Sequence, residues 1–139
     1  MILALLLAVL PMQEENTLTL TPQQQTLIDA MIRVESGGDD EAIGDDGNAI
    51  GCLQIWDMYW VDAMAYDKTI GGFYEDCFNR QYSIRVLDSY MRRYAKEAWT
   101  NPEKFDPEKI ARIHNGGPRG YKKRSTQKYW AKVQARLWN

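Results

Sequence analysis

The chain of 139 residues has little of what holds metals or cross-links small domains. It contains two cysteines and one histidine, and their separation does not match the ligand spacing of a zinc site. We therefore expect neither a metal nor another cofactor. Cys52 and Cys77 allow one disulfide in an exported protein, or two buried free thiols. The sequence leaves both alternatives open.

Long apolar runs are also missing. Residues 2–10 are a run of nine apolar residues, which is too short to cross a bilayer as a helix. Its length is typical of the hydrophobic region of a signal peptide, although no Lys or Arg precedes it. We predict that residues 1–20 are an export signal with a short polar leader. Residues 21–139 are then one secreted or periplasmic domain, monomeric and not inserted in a membrane.

Neither sign of charge dominates, since 17 Lys and Arg stand against 19 Asp and Glu. The basic residues concentrate at the C-terminal end, where residues 107–139 contain nine of them and one acidic residue. Such a cluster can attract anionic polymers, but a solvated basic helix is the commoner explanation. No nucleic-acid-binding motif accompanies it. We expect no nucleic-acid partner.

Helix signals are frequent along the chain. Thr21, Pro22 and Gln24 are typical of a helix start with a capping box, and Ser36-Gly37 is typical of a helix end. Further helices are predicted over residues 57–67, over 79–98, from Asp106 to the glycines at 116–117, and from 125 or 126 onward. A short extended segment is predicted over residues 50–55. The fold class is therefore mainly α, with a small β-hairpin segment.

Glu35 departs from the pattern of the first helix. Leu27, Met31 and Glu35 are spaced i, i+4, i+8, so a carboxylate lies on the apolar stripe. Burial disfavours an ionised carboxylate and raises its pKa. An acid that is still protonated near neutral pH can donate a proton to a glycosidic oxygen. The alternatives are a side chain turned into solvent and one paired with Arg33.

Glycosidases commonly use a second carboxylate on the other side of the bond that they cleave. The acidic loop after the first helix offers several candidates: Asp39, Asp40, Glu41, Asp45 and Asp46. Any one of them also suits a turn in a loop of this composition. Spacing alone does not choose among them.

Two motifs resemble those of known lysozymes. Residues 35–38 (ESGG) followed by 44–55 (GDDGNAIGCLQI) resemble the signature of goose-type lysozymes and lytic transglycosylases. Residues 59–62 (YWVD), 90–94 (YMRRY), 111–120 (ARIHNGGPRG) and 129–130 (YW) resemble the invertebrate-type, or destabilase-like, lysozymes. The resemblance covers residues 28–136, with the motifs in the same order, and the stretch 111–120 is its most specific part.

The resemblance implies a lysozyme-like fold, in which a cleft lies beside the β-segment. It also implies that Glu35 is the general acid and Asp45 the second carboxylate, with Asp46 as a one-residue alternative. The other residues that it implies at the substrate are Asp46, Gln54, Tyr59, Tyr94, His114 and Asn115.

The resemblance implies a muramidase that hydrolyses the β-1,4 bond between N-acetylmuramic acid and N-acetylglucosamine in peptidoglycan. A lytic transglycosylase, which needs no second carboxylate, is the alternative within the enzymes. A non-catalytic peptidoglycan-binding or inhibitor protein is the alternative outside them. The family is rich in disulfides, whereas this chain has two cysteines, so we expect its core to stabilise it more than cross-links do.

Overall fold

The computed structural model describes residues 8–9 and 18–138. Its α-helices are α1 (Pro22–Ser36), α2 (Asp57–Tyr66), α3 (Arg80–Tyr94), α4 (Lys96–Thr100), α5 (Pro107–Gly116) and α6 (Gln127–Leu137). Three short strands, β1 (Ile43–Gly44), β2 (Ala49–Ile50) and β3 (Ile55–Trp56), form an antiparallel sheet in that order. The predicted fold class is confirmed, and the expected hairpin has a third strand.

The first helix begins and ends where the sequence predicts. The Thr21 side chain accepts from the Gln24 backbone N–H, and the Gln24 side chain accepts from the Thr21 N–H. Gly37 ends the helix in the left-handed region at φ 64°, and its N–H donates to Arg33 O. These two caps fix the length of α1 and so place Glu35 in its last turn.

The predicted helix over residues 79–98 is interrupted near its C-terminal end, because α3 stops at Tyr94. The backbone leaves the helical region at Ala95 (φ −149°, ψ 43°), and α4 starts in a new direction. The break brings Trp99 into the core, where its indole N–H donates to Asp88 Oδ1 at 2.8 Å. Gln24 of α1 donates to Trp99 O at 2.8 Å, so this core contact ties three helices together.

The core lies between the helices, with α1 against α5 and α6, and α2 against α3. Leu27, Met31, Leu87 and Ile113 are among its fully buried side chains. The predicted export signal lies mostly in residues 1–7 and 10–17, outside the described residues. Within the described part, no helix has both the length and the apolar character needed to cross a membrane.

Candidate active site

Glu35 lies at the C-terminal end of α1, and its side chain is 16% exposed. The neighbouring Ser36 hydroxyl donates to Cys52 O at 2.8 Å, which ties the helix end to the turn between β2 and β3. The negative end of the helix dipole also lies here and disfavours a second negative charge. The local structure therefore favours the neutral form of Glu35.

Burial raises the pKa of Glu35 from 4.5 to about 7. The neighbouring Tyr129 hydroxyl lowers this pKa, and the negative charge of Asp45 raises it. The Tyr129 hydroxyl is buried near the carboxyl and has no partner within hydrogen-bonding geometry among residues 18–138. Near neutral pH a large share of Glu35 is thus protonated and able to act as an acid.

His114, in the last turn of α5, lies against Glu35 and is held in one tautomer. Its Nε2 is 2.9 Å from Leu53 O, and its Nδ1 is 3.0 Å from the Tyr59 hydroxyl. Because a carbonyl can only accept, Nε2 carries the proton and Nδ1 accepts from Tyr59. Burial lowers the pKa of His114 from 6.5 to about 4.

A neutral His114 gives Glu35 no counter-ion at neutral pH. Nε2 is 3.6 Å from Glu35 Oε1, but its proton is directed to Leu53 O. The structure also shows no ion pair between Glu35 and Arg33, which is exposed. The alternatives of a solvent-facing or Arg33-paired Glu35 are therefore not what the structure shows.

Tyr59 and His114 are packed against other side chains beside Glu35. The His114 side chain is 3% exposed, and the Tyr59 ring stacks on Tyr90 with centroids 3.7 Å apart and planes 8° apart. Tyr94 packs against Tyr90 at 4.8 Å, and its hydroxyl donates to Asp62 at 3.2 Å. Tyr59 positions His114 beside Glu35 through its hydrogen bond to Nδ1, and the contact of Tyr59 and His114 with substrate stays a prediction.

Asp45 lies on the exposed side of the site, directly after β1. Its backbone is left-handed at φ 49°, as is that of Asp46 at φ 56°. Asn48 donates to Asp45 O through its backbone N–H (3.1 Å) and its side chain (2.9 Å). The Asp45 carboxylate accepts from the indole N–H of Trp56 at 3.3 Å. Asp46 and the predicted substrate residue Asn115 are exposed.

Gln54 holds the β-segment together. Its side-chain amide donates to Ala42 O at 3.2 Å and to Gly51 O at 3.0 Å, and its backbone is left-handed at φ 51°. A Cβ at Gly44 would overlap Gln54 Oε1, so a larger residue there would displace the end of the Gln54 side chain. These contacts let Gln54 position the loop of Asp45, and its contact with substrate stays a prediction.

Cys52 and Cys77 are both buried and free, which corresponds to the alternative of two thiols rather than a disulfide. Burial raises the pKa of Cys52 to about 11 and that of Cys77 to about 12, so both are neutral thiols at physiological pH. Within the described residues, no group of three His, Cys, Asp or Glu side chains could hold a metal ion.

Two residues of the site were missed by the sequence prediction. Trp56 directly follows the Gln54-Ile55 pair of the lysozyme-like motif. An aromatic residue at that position was the available signal for a residue of the site. Tyr129 was noted only as part of a motif, because nothing in the sequence links α6 to the end of α1. Both residues contact the site carboxyls through tertiary packing.

A helical domain with a small antiparallel sheet, a buried acid and an exposed carboxylate defines the class of lysozyme-type glycoside hydrolases. Comparison with known proteins gives the same class. Residues 24–136 match the destabilase family. The chain belongs to this family.

Named relatives and solved structures are lysozymes of molluscs. The chain is 34% identical to the Meretrix lusoria lysozyme over 113 residues, which is 79% of this chain and 87% of that protein. It is 36% identical to lysozyme 1 of Crassostrea virginica over 65% of this chain, but spans only 46% of that protein. The crystal structure of inhibitor-bound Meretrix lusoria lysozyme matches with a TM-score of 0.65 and 33% identity, over 80% of this chain and 88% of that one. The Tapes japonica lysozyme structure matches with a TM-score of 0.64 and 31% identity, over 79% and 87% of the two chains.

Proposed function

We propose that this chain is a muramidase that hydrolyses the β-1,4 bond between N-acetylmuramic acid and N-acetylglucosamine in peptidoglycan. The observation that carries the proposal is the buried Glu35 carboxyl, whose pKa is about 7 and whose neighbour His114 is neutral. Such an acid is protonated where the reaction needs it, because the leaving glycosidic oxygen must receive a proton as its bond breaks.

The two carboxyls divide the reaction between them. Glu35 donates its proton to the glycosidic oxygen while the bond to the anomeric carbon breaks. Asp45 attacks that carbon, or stabilises its positive charge, from the exposed side of the site. Water then attacks the anomeric carbon and breaks any bond that Asp45 has formed with it, while the Glu35 carboxylate accepts the proton of the water. The product leaves with a new hydroxyl, and both carboxyls return to their starting states. The exposed Asp46 and Asn115, together with Tyr94, are the proposed substrate contacts.

The experiment is digestion of purified peptidoglycan, with the products identified by mass spectrometry. The parent protein should release fragments with reducing ends, and Glu35→Gln should be slower by at least about 100-fold, since it keeps the shape but lacks the proton. A Glu35→Gln variant as fast as the parent would contradict the assignment of the acid. Anhydro-sugar products would identify a lytic transglycosylase, and binding without release a non-catalytic protein.

The place of action is proposed on the sequence alone. The apolar run at residues 2–10 supports export, with residues 21–139 as a monomeric catalytic domain outside the cytoplasm. Fractionation of the producing cells tests export, and N-terminal sequencing of the exported protein tests whether the mature domain begins near residue 21. A protein found intact in the cytoplasmic fraction would contradict export.

A further inference from the structure

The geometry points to Trp56 as a sugar-stacking residue that also positions the Asp45 carboxylate. This inference rests on the proposed function, because it places one N-acetylhexosamine unit of the glycan against the Trp56 indole. It concerns the side of the site opposite the buried acid.

The position of Trp56 in the sheet gives the indole a path to Asp45. Gly44 pairs with Ala49, and Ala49 pairs with Trp56, so the three residues form one row across the sheet. Side chains directly opposite each other in antiparallel strands lie on the same face. Because the other members of the row are a glycine and an alanine, the ring can extend across the sheet to the residue that follows Gly44, which is Asp45.

The indole N–H holds the Asp45 carboxylate. Nε1 is 3.3 Å from Asp45 Oδ2, and this is the side-chain hydrogen bond that the structure gives to that carboxylate. The backbone of Asp45 is already fixed in the left-handed region and by Asn48. Trp56 therefore restricts the remaining freedom, which is rotation of the side chain.

A large part of the Trp56 side chain faces solvent. Trp56 is 48% exposed, although half of a large apolar ring in water is unfavourable. One edge is occupied by Asp45, which leaves a flat apolar face beside the second carboxylate. A pyranose ring presents a flat face of C–H groups of matching size, and stacking would remove both surfaces from water. The occupant that fits is the sugar unit next to the cleaved bond.

Two substitutions separate stacking from positioning. Trp56→Phe keeps a ring but removes the N–H, whereas Trp56→Ala removes both. The exposed Trp138 at the end of α6 provides a matched control as Trp138→Phe. Binding of soluble peptidoglycan glycan strands is measured by calorimetry in the Glu35→Gln background, so that no turnover occurs. Values of kcat and KM are measured with Glu35 intact, and Tm is recorded for every variant.

Trp56→Phe should bind with a Kd near that of its background but lose kcat roughly 10-fold, the effect of one hydrogen bond to a charged group. Trp56→Ala should show the same loss of kcat and raise Kd and KM roughly 10-fold. Trp138→Phe should match the parent. Parental binding and kinetics of Trp56→Ala would overturn the inference, as would equal losses in both variants together with a lowered Tm. A parent that binds these strands but does not cleave them would refute the proposed function, while the binding measurements would still test the stacking.

Discussion

Glu35 and Asp45 are carboxyls of one site, but the helices bury the first and the sheet leaves the second in water. On the helical side, His114 Nε2 lies 3.6 Å from Glu35 Oε1, and the side chains of Tyr59 and Tyr129 are nearby. On the sheet side, Asp45 has a left-handed backbone and one indole N–H. The two sides use different physical means, desolvation for the acid and local geometry for its partner.

This difference explains why each side needs its own residue types. A buried acid remains neutral only if no positive charge lies beside it, and the pKa of His114, lowered to about 4 by burial, satisfies that condition. An exposed carboxylate needs no such protection. It needs a fixed direction, which Asn48 and Trp56 provide.

The function of the sheet side can be removed by one amide substitution that leaves the structure in place. Asp45→Asn removes the charge but keeps a residue type that tolerates the left-handed backbone, so the loop should persist. We expect kcat on soluble glycan strands to fall roughly 100-fold, as when a preorganised charge-stabilising group is lost.

Asp46→Asn is the matched control, because Asp46 has the same backbone conformation at φ 56°. Its kcat should remain near that of the parent, and the loss of its proposed substrate contact should appear in KM alone. A large loss in Asp46→Asn with none in Asp45→Asn would exchange the two assignments. Full activity in both variants would favour the transglycosylase reaction, which needs no second carboxylate.

The burial of Glu35 on the helical side can be tested through the pH dependence of the free energy of unfolding. The folded pKa of Glu35, about 7, lies above its ordinary value of 4.5. Its contribution to stability is therefore fully present below about pH 4.5 and is lost as the pH rises through about 7. Relative to the parent, Glu35→Gln should be equally stable at pH 4 and more stable by up to about 3 kcal/mol at pH 8.

Urea unfolding at the two pH values measures this difference, with Glu103→Gln as an exposed control for the loss of one negative charge. The variant gains stability at pH 8 because glutamine has no charge to bury. A Glu35→Gln variant that is several kcal/mol less stable at pH 8 would mean that Glu35 is an ionised partner in a buried pair.

The smallest expected effect is that of Tyr129→Phe. The Tyr129 hydroxyl lowers the pKa of Glu35, so its removal should raise that pKa and move the alkaline limb of the activity profile to higher pH. One hydrogen bond corresponds to about 0.4–1 pH unit. The profile of kcat/KM against pH measures the shift, and Tyr66→Phe, on the exposed end of α2, is the control. A shift to lower pH would contradict the role of this hydroxyl.

The helical side was largely predictable from the sequence, because its signals are local. The capping box at Thr21 and the i, i+4, i+8 stripe placed Glu35 at the end of α1. The positions of Tyr129 and His114 around it come from the packing of α5 and α6 on α1. Local sequence patterns do not predict such tertiary contacts. The family resemblance implied that His114 lies at the substrate, and its contact with Glu35, with Nε2 3.6 Å from Oε1, comes from this packing.

The sheet side was predictable only through the family resemblance. Its strands have two residues each, too few for any alternation of apolar and polar residues to be recognised. The turn residues of the loop suit several conformations, so spacing did not separate Asp45 from Asp46. The contact between Trp56 and Asp45 depends on strand register, which the sequence of such short strands does not specify.

The most direct test is a titration of the Glu35 carboxyl itself. Carbon-13 NMR of the glutamate side-chain carboxyls, followed from pH 3 to 9, resolves this group, and its resonance is assigned by its absence from the Glu35→Gln spectrum. A midpoint near pH 7 is predicted, because the buried site disfavours the charge. A midpoint near the ordinary value of 4.5 would show an ionised Glu35 at neutral pH and would contradict its role as the acid.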